Sequence, residues 1–119
     1  MVEMFNPVIY PLKVWVGIGS KEMSKFVDVD GRELISAPHL FEGAVWKVIE
    51  KKTRYRGVLV LFEKRKSVTM KNAAHEATHV VRKMWEMIGE TFTGEEADAY
   101  LVGWVVECIK KVKKGYGKK

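Results

Sequence analysis

The chain predicts an α+β domain: an N-terminal antiparallel β-sheet followed by two antiparallel helices. Three observations carry this. Residues 8–64 hold short apolar runs rich in Val, Ile, Trp and Phe, separated by Gly, Pro and Asp-Gly. Residues 69–88 and 94–113 instead repeat their apolar positions at helical spacing. The chain of 119 residues is 47% hydrophobic and 30% charged, enough to bury one core and too short for two. We therefore expect a single domain over residues 1–119.

The elements follow in order. The first strand is expected within residues 8–18, around Leu12-Lys13-Val14-Trp15-Val16, with Gly17 and Gly19 ending it. Residues 25–34 contain Phe26-Val27-Asp28-Val29 and then Asp30-Gly31, a tight-turn signal that predicts a short hairpin. Residues 36–43 carry Pro38 and small residues and read as a loop. Residues 44–51 and 55–64 read as a second hairpin around the basic stretch Lys51-Lys52-Thr53-Arg54. The run 58–62 reads as a core strand, with pairing to an extended substrate as the alternative that an edge position would allow.

The first helix places Ala73, Ala77, Val80, Val81, Met84, Trp85 and Ile88 on one face. Ser67 or Thr69 can cap its start and Gly89 can end it. The second helix shows the stripe Ala97, Leu101, Trp104, Val105 and Cys108, with acids at its start and lysines at its end, as the helix dipole favours. The four tryptophans are expected in the core.

Charge and cysteine usage narrow the function classes. The net charge is +6, and the lysines at 110, 111, 113, 114, 118 and 119 account for all of it. Such a basic tail at 110–119 most simply solvates a helix end, so a nucleic-acid partner is not the leading expectation. Residues 47–71 are also basic and 82–107 acidic, so the body is polarised. Aromatics interleave with the bases of 47–71, but without the spacing of an RNA-binding motif. A lone cysteine, Cys108, excludes an intrachain disulfide and a CxxC-type zinc site. The first residues lack a basic start followed by a long apolar run, and no apolar stretch approaches membrane-spanning length. These features predict a cytoplasmic protein without a membrane partner.

The stretch that carries chemistry is His75-Glu76-Ala77-Thr78-His79 on the first predicted helix. Residues i and i+4 share a helix face about 5–6 Å apart, so two imidazoles can grip one Zn2+ ion. The intervening Glu76 is turned about 100° round the helix, where it can take a proton from a water that the metal activates. A zinc site needs a third protein ligand, and the acids Glu95, Glu96 and Asp98 at the head of the second helix are the nearest donors in sequence. Glu96 leads, because it shares a helical row with Tyr100, Gly103 and Glu107, and Gly103 would let the first helix approach.

HExxH followed by Glu96-Ala97-Asp98-Ala99-Tyr100 resembles a minimal zincin of the gluzincin type, and is similar to short HExxH proteins of bacteria and their phages. The resemblance spans about residues 69–108. It implies a zincin-like fold, with His75, His79 and Glu96 as zinc ligands and Glu76 as general base of a metallopeptidase acting on a peptide or protein. The Asp that such enzymes usually place four residues after the ligand Glu is Tyr100 here. A recognisable Tyr or His for stabilising the oxyanion is missing; His39, Tyr55 and Tyr100 are candidates, each more simply read as structural. The competing expectations are a catalytically inactive zincin-like binding module with a structural or vestigial metal, and a nucleic-acid accessory protein using the lysine tail.

Overall fold

The computed structural model describes residues 1–8, 10–35, 40–90 and 95–116. Five strands form one sheet: β1 (Val2–Phe5), β2 (Lys13–Ile18), β3 (Phe26–Asp28), β4 (Ala44–Glu50) and β5 (Arg56–Phe62). Two helices follow, α1 (Met70–Ile88) and α2 (Glu96–Gly115). The α+β expectation therefore holds, as do both long helices.

The sheet is mixed rather than antiparallel. Its order is β1-β2-β5-β4-β3, and β2 and β5 run parallel from Lys13↔Gly57 to Ile18↔Phe62. The other three pairings are antiparallel. The reason lies in β5. Val58, Leu59, Val60, Leu61 and Phe62 are all fully buried, so both faces of this strand are covered. A strand apolar on both faces belongs in a sheet centre, with a neighbour on each side. β4 supplies one neighbour through the hairpin, and β2 supplies the other. The central position removes 58–62 as an edge for pairing with a substrate; the edges belong to β1 and β3.

The two faces of the sheet build two cores. Val14, Val16, Ile18, Val58, Val60 and Phe62 pack against α1 and α2. Trp15, Leu59 and Leu61 point the other way and pack with Phe26, Leu40, Ala44 and Val48. Trp15 meets Phe26 edge-on at 5.1 Å between ring centroids. Trp15 and Trp85 are buried, whereas Trp46 and Trp104 are only partly so.

Local signals set the element ends. The Asp28 carboxylate accepts from the Asp30 and Arg32 amides at 2.8 and 3.0 Å, closing the Asp-Gly turn. Only an isolated bridge, Val27↔Glu33, continues the pairing there, so the expected hairpin is reduced to its turn. Thr69 caps α1 by accepting from the Asn72 amide, and Gly89 ends it in the left-handed conformation at φ 77°. β1 was not legible in the sequence: it is four residues long and half exposed.

α1 and α2 are antiparallel. Trp85 near the end of α1 donates its indole N–H to Asp98 at the start of α2, at 2.5 Å. At the opposite end Lys113 donates to the Val68 carbonyl just before α1. The buried stripe of α2 is Asp98, Leu101, Val105, Cys108, Ile109 and Val112. This is rotated from the expected stripe: Ala97 is exposed and Trp104 sits at the flank. The observed stripe gains Ile109 and Val112 and gives up Trp104 to the flank, and it buries Asp98, a cost that the Trp85 indole offsets.

Asp98 is only 4% exposed and so depends on hydrogen bonding. Replacing Trp85 by Phe keeps most of the apolar bulk and deletes that donor. Urea denaturation of Trp85→Phe is expected to show a loss of about 1–3 kcal/mol; an unchanged midpoint would contradict the helix pairing.

Candidate metal centre

The HExxH stretch occupies the second and third turns of α1. The residues on either side of it explain its orientation. Ala73, Ala77, Val80, Val81 and Met84 anchor one face of α1 in the core. His75 and His79 are thereby turned outward, both exposed, one above the other. Their Nε2 atoms lie 3.2 Å apart, and the rings meet edge-on at 4.7 Å between centroids.

That separation tests whether the pair fits a metal. Two nitrogens bound to a tetrahedral zinc at 2.0–2.1 Å stand about 3.3 Å apart. The 3.2 Å spacing matches this with little movement. The same spacing also suits an N–H···N hydrogen bond between two neutral imidazoles. Burial lowers the pKa of His79, and the charges of His75, Lys83 and Arg82 lower it further. Both effects favour the neutral imidazole that ligates metals.

Glu76 is buried on the same turn, 6% exposed. Its Oε2 lies 3.9 Å from His75 Nε2. Burial raises its pKa; His75 counteracts this and Glu42 reinforces it. A carboxylate with raised proton affinity beside two imidazoles is the chemistry a general base requires.

Glu76 has room because of Gly43. This glycine adopts φ 123°, and a Cβ there would lie 2.5 Å from Glu76 Cγ and 2.9 Å from Phe62 Cε1. The loop into β4 thus lies directly on Glu76. Together Glu42, Gly43, Ala44, Lys71, Asn72, His75, Glu76 and His79 line a cleft of about 480 Å³. Asn72 is committed to holding the helix start: its side chain donates to the Ser67 carbonyl at 2.8 Å.

The acids expected to complete the ligand set lie elsewhere. Glu96 lines a separate groove with Pro7, Tyr10, Ala97, Tyr100, Leu101 and Trp104. The Trp85–Asp98 bond fixes the helix register, and it sets Glu96 about 12 Å further along α1 than His79. The row Glu96, Tyr100, Gly103 and Glu107 is exposed, and Gly103 faces open space rather than α1. Glu95 is exposed beside it, and Asp98 is buried on Trp85. The structure thus brings His75, Glu76 and His79 together and does not bring Glu95, Glu96 or Asp98 to them. Among the described residues, no three His, Cys, Asp or Glu side chains are gathered as a metal-holding group.

Of the oxyanion candidates, Tyr55 stands at the far end of β5 against Lys13, and Tyr100 is exposed on α2. His39 lies outside the described residues. Cys108 is buried in the helix interface, and burial pushes its thiol up to about 11, so it is inert at neutral pH. Glu42 also lines the cleft and was not among the residues the sequence singled out. Its only signal was its place before Gly43, and nothing in the spacing pointed from that loop to α1.

Gly43→Ala forces a side chain into a left-handed backbone and against Glu76. It is expected to destabilise by about 1–3 kcal/mol in thermal or urea unfolding; a neutral effect would show that the loop does not rest on Glu76.

No helix among the described residues is long and apolar enough to cross a membrane. No protein-family model, curated protein or solved structure matches this chain.

Proposed function

We propose that the chain is a zinc-dependent metallopeptidase with His75 and His79 as ligands and Glu76 as general base. The observation that carries this reading is the 3.2 Å separation of the two imidazole nitrogens beside a buried carboxylate, in an open cleft. Zinc bound there would polarise a peptide carbonyl and lower the pKa of its water. Glu76 takes a proton from the attacking water and returns it to the leaving amine. Its burial holds it in place for both transfers. The exposure of His75 and His79 leaves the cleft accessible to a peptide.

In this reading Glu42, which lines the cleft without being gathered with the two histidines, would have to swing onto the ion to serve as third protein donor, whereas Glu96 lines another groove. The separation of Glu96 from the pair favours a second reading: a zincin-like binding module whose metal is structural or vestigial.

Zinc titration of four variants and turnover of quenched-fluorescent peptides test both. His79→Ala is expected to lose zinc. Glu76→Gln is expected to retain it and lose about 10²-fold or more in turnover. Glu42→Gln is expected to weaken zinc binding about tenfold or more, and Glu96→Gln to leave it unchanged. Full activity of Glu76→Gln would overturn the mechanism. A zinc-loaded protein that cleaves no peptide would support the binding module instead.

A further inference from the structure

The basic stretch around residue 65 and the lysine-rich end of α2 are far apart in sequence and adjacent in the fold. Arg65 Nε donates to the Lys113 carbonyl at 3.0 Å, and Lys113 Nζ donates to the Val68 carbonyl at 2.5 Å. These two bonds tie the ends of α1 and α2 together. Between them lies a groove of about 500 Å³. Its apolar lining is the exposed Met70 beside the buried Val68 and Ala73. Its walls carry Lys110, Lys111 and Lys114 beside Arg65 and Lys113, and Glu107 is the one acid among the described residues lining it.

The five cations divide into two roles. Arg65 and Lys113 hold the groove in shape through backbone carbonyls. Lys110, Lys111 and Lys114 are exposed along the rim. Lys110 and Lys114 are one helical turn apart, about 6 Å, so they address successive anionic groups rather than one. α1 also begins at this groove, and its dipole adds positive potential.

We propose that this groove binds single-stranded nucleic acid, with its phosphates on Lys110, Lys111 and Lys114 and an unstacked base against Met70. A repeated anion suits cations spread along a rim. An exposed apolar side chain beside them, Met70, suits contact with a base that a duplex would keep stacked. The inference is independent of the metal centre, which faces the other side of the first turns of α1.

The test is fluorescence anisotropy with a short labelled oligothymidylate. Three phosphate contacts or slightly more predict that affinity falls about 20- to 50-fold between 50 and 200 mM salt. The double charge reversal Lys110→Glu with Lys114→Glu is expected to weaken binding about tenfold or more and to flatten the salt dependence. Lys21→Glu with Lys52→Glu makes the same charge change at exposed sites away from the groove, and is expected to change affinity less than about twofold. Circular dichroism checks folding, and Lys110→Gln with Lys114→Gln serves if the reversal perturbs it. No binding at low salt, equal losses in both double variants, or capture by phosphatidylserine vesicles without oligonucleotide binding would each overturn the proposal.

Discussion

The structure depends on covering one strand. β5 carries five consecutive fully buried apolar residues, so it needs a strand on each side and a layer on each face. The sheet order follows, with β4 returning through the hairpin and β2 joining in parallel. The layers follow too. Trp15, Phe26 and Leu40 close one face, and the two helices close the other. The site inherits its geometry from this packing. Phe62 at the end of β5 lies under Gly43, and Gly43 lies on Glu76.

The same packing divides α1 between structure and chemistry. The small residues Ala73 and Ala77 let the helix lie against the sheet, which buries Glu76 at the base of the cleft and leaves both histidines exposed along its wall. Two consequences follow for electrostatics. Glu76 is desolvated and drawn toward its protonated form, and His79 is drawn toward its neutral form. Each shift opposes isolated charge, which suits a site completed by a cation.

Local signals were legible in the sequence. The HExxH face, the Thr69 cap, the Gly89 stop, the Asp28 turn and the β4–β5 hairpin all depend on neighbours within a few residues. What was not legible depends on partners far along the chain. The parallel β2–β5 pairing joins segments about 40 residues apart. The rotation of α2 was hidden because Asp98 reads as an N-terminal helix charge, whereas in the fold it serves as the acceptor for Trp85. That rotation, in turn, leaves Glu96 outside the site. Glu42 reaches the cleft only through the loop geometry at Gly43.

The central claim is that His75 and His79 share one zinc ion. X-ray absorption at the zinc edge, on protein loaded with one equivalent and freed of excess, tests it most directly. A four-coordinate centre is expected, with two imidazole nitrogens at about 2.0–2.1 Å and oxygen donors completing the shell. Failure to retain zinc, or a six-coordinate shell of oxygen alone, would contradict it.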